Sequence, residues 1–214
     1  MRDMAESGLV LTADEIIRRL HKAREDIVYR HSFRSSIPDD YFQSPPRKAA
    51  VLIPLFREEG NWNVLFTRRN EALPEHGGQV AFPGGRSDAE DRTPEETALR
   101  EAYEELKILP QDVVILGQLP PLRTISNYCV TPVVGMIPWP YAFTLAADEV
   151  SRVFSIPLSW LADRDNIELR LRQLTDQQKA LNVVYFRPFQ GELLWGVSAE
   201  ITLTLLTVLG LIDL

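Results

Sequence analysis

The stretch that most constrains this chain is Phe82-Pro83-Gly84-Gly85-Arg86, followed shortly by a helix whose start is clearly marked. Thr93 can cap it, Pro94 suits the first helical position, and Glu96 lies three residues after Thr93, the spacing of a capping box. The pattern predicts a helix from about Pro94 to Leu106. Leu99, Ala102, Tyr103 and Leu106 recur at helical spacing and are expected to form the face that packs on a sheet. Glu101, Glu104 and Glu105 then fall on the opposite side, within roughly 100° of arc at 3.6 residues per turn.

Three carboxylates at i, i+3 and i+4 repel one another. On an exposed helix each pair costs only about 0.2–0.5 kcal/mol. In a cleft of effective dielectric near 20, charges about 5 Å apart cost roughly 3 kcal/mol per pair. A cluster held in a cleft therefore calls for a counter-ion, and hard oxygen ligands favour magnesium, manganese or calcium over zinc. The alternative is a solvated acidic face, the commoner fate of an arbitrary acidic helix. The glycine pair upstream favours a site, because Gly84 and Gly85 let the backbone bend sharply and approach a metal or a phosphate closely. Arg100 can orient a carboxylate by bidentate hydrogen bonds.

The chain as a whole divides into two sections. Residues 1–47 form a polar arm in which Thr12 and Glu15 stand at capping-box spacing before Ile16, Ile17 and Leu20. Residues 48–214 form the main domain. Ala49–Ile53 and Val64–Phe66 are short apolar runs parted by Glu58-Glu59-Gly60-Asn61, which reads as a hairpin. Val113–Leu119, Val130–Ile137 and Val183–Phe186 read as further strands, and Val197–Leu209 as a final helix. Strands with interspersed helices and no repeat predict an α/β or α+β sandwich. The net charge of −7 argues against a nucleic-acid or anionic-membrane binder, which would present a basic face. The most apolar stretch, Leu193–Leu214, is interrupted by Ser198, Glu200, Thr202, Thr204 and Thr207, so a packed helix is expected and no bilayer span. The opening MRDMAESGLV is not a secretory signal, and a single cysteine, Cys129, suits a reducing compartment; a cytoplasmic location is expected. Cys129 lies in an apolar run with no histidine nearby in sequence and reads as a buried small hydrophobe. The arm and the last helix are both open as surfaces for a homodimer.

The segment Gly85-x5-Asp91-x8-Arg100-Glu101-Ala102-Tyr103-Glu104-Glu105 resembles the Nudix box, Gly-x5-Glu-x7-Arg-Glu-apolar-x-Glu-Glu-x-Gly-apolar. It departs from that form at Asp91, in one extra residue before Arg100, and at Lys107 in place of the closing glycine. Leu65-Phe66-Thr67-Arg68-Arg69, then Leu73 and His76-x-Gly78-Gln79-Val80-x-Phe82-Pro83-Gly84-Gly85, resemble the signature of the coenzyme A pyrophosphatase branch. Asn70 stands there where serine or alanine is common, and Pro74 where arginine is common. The likeness covers about residues 49–210.

The resemblance implies a Nudix fold, a mixed β-sheet sandwiched between helices. It also implies cleavage of the pyrophosphate bond of a nucleoside diphosphate derivative. On coenzyme A the products would be adenosine 3′,5′-bisphosphate and 4′-phosphopantetheine. Glu101, Glu105 and Glu104 would hold Mg²⁺ or Mn²⁺, with a carbonyl of Gly84 or Gly85 completing the shell. Arg100 would orient the carboxylates. A glutamate of the box or Glu149, in Asp148-Glu149-Val150, would take the proton of the attacking water. Arg68, Arg69, His76 and Gln79 are candidate substrate contacts, although adjacent strand residues point to opposite faces, so at most one arginine should face the site. His76 can equally serve loop packing. Trp139, Tyr141 and Phe143 read either as an aromatic wall for a substrate or as a packed loop. Other readings are a hydrolase of ADP-ribose or dinucleotides, a Nudix-fold module that binds nucleotides without turnover, and a structural protein with a solvated acidic helix.

Overall fold

The computed structural model describes residues 11–25, 44–173 and 180–213. The opening residues read for a signal and Leu214 lie outside them. The sheet is built around β1 (Arg47–Glu58), which pairs antiparallel with β2 (Asn61–Arg69) through the predicted hairpin. Its two turn residues, Glu59 and Gly60, take φ of 49° and 83°, the left-handed pair that suits the twist of a two-residue hairpin. β3 (Val80–Ala81) pairs with β2, and β4 (Gly84–Arg86) pairs with the first half of β1. Pro54 has no N–H to give and stands on β1 between the stretch bonded to β4 and the stretch bonded to β2. On the other edge β1 runs parallel to β7 (Tyr128–Met136), which also carries β5 (Val114–Gln118) and β6 (Leu122–Arg123). β8 (Val150–Pro157) closes onto β2. β9 (Ile167–Gln173) and β10 (Ala180–Phe186) form a separate hairpin.

The period of two along β1 divides the interior into two cores. Ala49, Ile53 and Leu55 face one core; Ala50, Leu52 and Phe56 face the other. The first core is covered by α1 (Ala13–Glu25), through Ile16, Leu20 and Ala23, and by α4 (Gly196–Val208), through Ala199, Ile201, Leu205 and Leu206. The second is covered by α2 (Pro94–Leu106), through Ala98, Ala102 and Leu106. A short helix, α3 (Leu158–Leu161), follows β8. The result is a mixed sheet between helices, the α+β sandwich expected. Each fully buried Leu, Ile or Phe of these layers contributes about 1.5–3 kcal/mol.

Helix α1 shares the first core with the sheet. The Trp62 indole donates to the Leu11 carbonyl at 2.6 Å, and Leu20 packs where a Cβ on Gly117 would meet it at 3.1 Å. In α4 the hydroxyls of Thr202, Thr204 and Thr207 donate to the carbonyls four residues back, at 2.8, 2.9 and 2.9 Å. Their polarity is satisfied within the helix, so α4 buries its apolar side in the chain's own core. Trp195 precedes it and stacks on Tyr185. Among the described residues, no helix is long and apolar enough to cross a membrane.

Candidate active site

Helix α2 begins as the sequence predicts. Thr93 is its N-cap and its hydroxyl accepts from the Glu96 amide at 3.2 Å. The return bond differs from a capping box: the Glu96 carboxylate accepts from the Arg92 amide at 2.6 Å rather than from that of Thr93. The helix ends at Lys107, which adopts the left-handed conformation with φ 58° and ψ 31°. The amide of Ile108 donates back to the Ala102 carbonyl at 3.3 Å, so the stop usually given to glycine is made by a lysine.

The buried face of α2 is rotated from the expected one. Tyr103 is 41% exposed, whereas Glu105 is 3% exposed and lies among Ala98, Ala102 and Leu106. The two alanines let the helix approach β1 and β4 closely. The Glu101 carboxylate then sits directly on Gly85, where an added Cβ would meet its carboxyl carbon at 2.6 Å. At Gly84 a Cβ would strike the Ala50 carbonyl at 2.5 Å. The approach to the β1 backbone requires glycine at position 84, whereas a side chain at position 85 would push the Glu101 carboxylate from its place.

Around the glycines the structure gathers most of the residues singled out. The Gly84 amide bonds to the Glu105 carboxylate, but burial dominates and pushes this carboxyl up to about 8, with Glu101 and Glu149 adding to the rise and Arg69 opposing it. Burial also raises Glu101; Arg100 offsets this, and Glu104 and Glu149 add to it. Glu149 thus lies within electrostatic range of both glutamates. The alternation of β2 places Arg69 on the α2 side of the sheet, and its Nε is buried with no hydrogen-bond partner among the described residues. Arg68 points to the opposite side, where it donates to Glu192 at 3.0 Å and to Glu71 at 2.8 Å. His76 and Gln79 sit on the loop between β2 and β3 and are held to each other, Nδ1 to Oε1, at 3.1 Å.

Arg100 is the hub of the helix side. Its Nε and Nη2 donate to Asp91 at 3.2 and 2.9 Å, Nη1 donates to Glu101 at 3.0 Å and Glu104 at 3.2 Å, and Nη2 also reaches the Arg86 carbonyl at 2.9 Å. Asp91 further accepts from the Asp88 amide at 2.9 Å and lies 3.0 Å from the Thr97 hydroxyl. The Arg100 guanidinium, with these other donors, holds the Asp91 carboxyl down at about 2. Asp91, at the first acidic position of the box, is an anchor for Arg100.

Among the described residues, no set of three or more His, Cys, Asp or Glu side chains is drawn tightly enough to hold a metal as it stands. Glu101 and Glu104 turn toward Arg100, and Glu105 turns inward to the Gly84 amide. The donors nevertheless suit a hard divalent cation. They are all oxygens, one is a buried carboxylate compensated by a backbone amide and a nearby arginine, and the Glu101 carboxylate lies against the Gly85 backbone.

One feature escaped sequence reading. Glu192 is 4% exposed and binds both Arg68 and Arg152, each at 3.0 Å, across paired strands. No local pattern marks it, because its partners are more than 35 residues away in sequence. The aromatic residues after β7 resolve as packing. Trp139 stacks on Phe56 at 3.8 Å, and the Tyr141 hydroxyl bonds Asp112 at 2.8 Å beyond the end of α2.

A NUDIX domain family model matches residues 46–178. The uncharacterized Nudix hydrolase NudL of Pectobacterium atrosepticum is 43% identical over 156 residues, 72% of this chain and 79% of the relative. The uncharacterized NudL of Photorhabdus laumondii is 38% identical over 176 residues, 82% of this chain and 92% of the relative. Among solved structures, a Nudix hydrolase from M. smegmatis is 22% identical with a TM-score of 0.48, over 56% of this chain and 76% of that one. The matched span carries the glycine pair, the capped acidic helix and the sheet beneath them, and with relatives of this identity over most of its length the chain belongs to the Nudix hydrolase family.

Proposed function

We propose that this Nudix hydrolase cleaves the pyrophosphate bond of coenzyme A or a coenzyme A derivative, with Mg²⁺ or Mn²⁺, to give adenosine 3′,5′-bisphosphate and 4′-phosphopantetheine. Nudix hydrolases in general need a divalent metal ion. The single observation that carries the reaction is the buried Glu105 beside Glu101 over the Gly84-Gly85 backbone. Such a pair is costly to ionise without a cation. The substrate class rests on the signature from Leu65 to Gly85.

Glu101 and Glu105, with Glu104 and a carbonyl of Gly84 or Gly85, hold the cation. When bound, it neutralises the diphosphate and makes water more acidic. Arg100, fixed by Asp91, sets the direction of Glu101 and Glu104. Arg69, on the α2 side of the sheet, offers its guanidinium charge to a substrate phosphate, with His76 and Gln79 on the adjoining loop as further contacts. Glu149 takes the proton as the water oxygen bonds to phosphorus and the bridging oxygen leaves with its electron pair.

Product release from coenzyme A, dephospho-coenzyme A, ADP-ribose, NADH and diadenosine tetraphosphate, with each metal in turn, tests this reading. Metal-dependent cleavage of coenzyme A above the others is expected. Preference for another member keeps the reaction and removes the substrate. Binding without cleavage of any would make the chain a nucleotide-binding module.

A further inference from the structure

Glu149 is exposed, so its aim depends on the backbone that carries it. That backbone is slung between two supports. On one side the amides of Thr144 and Ala146 donate to the carbonyls of Leu106 and Glu105, at 3.1 and 2.9 Å, so the loop is fastened to the last turn of α2. A tight turn follows, in which the amides of Glu149 and Val150 both donate to the Ala146 carbonyl at 2.8 Å. The other support is Asn70, immediately beyond β2. Its amide donates to the Glu149 carbonyl at 2.8 Å, and its side-chain Nδ2 donates to the Ala147 carbonyl at 2.7 Å. Its Oδ1 accepts from the Ala72 amide at 2.9 Å. Both ends of the side-chain amide are therefore engaged at the point where the register of β2 on β8 slips, between Arg68 and Arg69.

We infer that Asn70 is a positioning residue, whose side chain fixes the Ala146–Val150 turn against β2 and so sets where Glu149 stands relative to Glu101 and Glu105. The inference rests on the reading of Glu149 as the proton acceptor. Alanine at position 70 removes both side-chain bonds. Aspartate keeps the acceptor for Ala72 and loses the donor to Ala147, placing a carboxylate against a carbonyl. Displacement of a reacting group by about 1 Å can cost on the order of 100-fold in rate.

The test measures kcat and KM for the wild type, Asn70→Ala, Asn70→Asp, Glu149→Gln and the Asn70→Ala/Glu149→Gln double variant. The substrate is whichever of coenzyme A, ADP-ribose and diadenosine tetraphosphate is cleaved fastest, at saturating Mn²⁺. Hydrogen exchange of the Glu149 and Val150 amides is followed alongside. Glu149→Gln is expected to lower kcat by roughly 100-fold or more. Both Asn70 variants should lower kcat by roughly 10- to 100-fold with KM nearly unchanged, and should speed exchange of the two amides. In the Glu149→Gln background, Asn70→Ala should cost nothing further. Unchanged exchange in Asn70→Ala, wild-type kcat in Asn70→Asp, or losses that multiply in the double variant would each overturn the positioning role while leaving the proton acceptor intact. Wild-type kcat in Glu149→Gln would remove the acceptor and the inference with it.

Discussion

On its helix side the carboxylate cluster is held by side chains, and on its loop side by main chain. Arg100 reaches Asp91, Glu101 and Glu104 from one guanidinium, all between Asp91 and Glu104 in the sequence. Glu149 comes from 44 residues beyond Glu105 and is steadied by backbone bonds to α2 and by Asn70. Side-chain pairing within a helix and its preceding loop leaves a readable residue pattern. A loop suspended on carbonyls leaves almost none, because any residue supplies the same amide. The helix side should therefore fail through charge, and the loop side through geometry.

The largest effect expected on the helix side is from Glu105→Gln, which keeps the shape and removes the buried charge. Turnover at saturating Mn²⁺ should fall by about 1,000-fold or more, the scale of several kcal/mol of lost cation chemistry. Far-ultraviolet circular dichroism should stay unchanged, and wild-type rates in this variant would empty the comparison of content. Next comes Asp91→Ala, which leaves Arg100 partly buried without its main partner. It should destabilise the fold by about 3 kcal/mol, read from urea unfolding. A loss below about 0.5 kcal/mol would show that Glu101 and Glu104 suffice to hold Arg100.

A third prediction concerns pH in metal-free buffer. Glu105 sits at about 8 in the fold against 4.5 as its ordinary value. Between these values the folded chain holds a proton that the unfolded chain has lost, so this group's stabilisation is full below about 4.5 and is lost as pH rises through about 8. The melting temperature should fall by several degrees across that window through this group. In Glu105→Gln the fall should flatten, and an identical slope in the two proteins would contradict the burial. The smallest effect is at Lys107. Lys107→Gly should relieve the left-handed backbone, against the entropy glycine adds to the unfolded chain and the loss of Nζ from the Tyr103 ring 4.6 Å away. The net gain should be about 0.5 kcal/mol in thermal unfolding, with activity unchanged.

Much of the fold was legible because its signals are local. The cap at Thr93, the Glu59-Gly60 turn and the apolar run Ala49–Ile53 each specify their element directly. The rotation of α2 was not legible. Hydrophobicity assigns Leu99 and Tyr103 to the inside, but the face with two alanines approaches the sheet more closely, and that face carries Glu105 inward. That Arg68 and Arg69 point to opposite faces followed from strand alternation, whereas the two arginines on Glu192 depend on a strand pairing that no single segment encodes. Asn70 stood out in the sequence only as a departure from the family signature, and its hydrogen bonds to the Glu149 loop became visible once the loop was placed.

Whether Glu105 is a buried ligand for a divalent cation is decided by Mn²⁺ titration calorimetry at pH 7 in two buffers of different ionisation enthalpy. With its carboxyl at about 8, Glu105 is mostly protonated there, so binding should release close to one proton per ion. Glu105→Gln should bind more weakly and release none. Equal affinity in the two proteins, with no proton released by the wild type, would rule Glu105 out as that ligand.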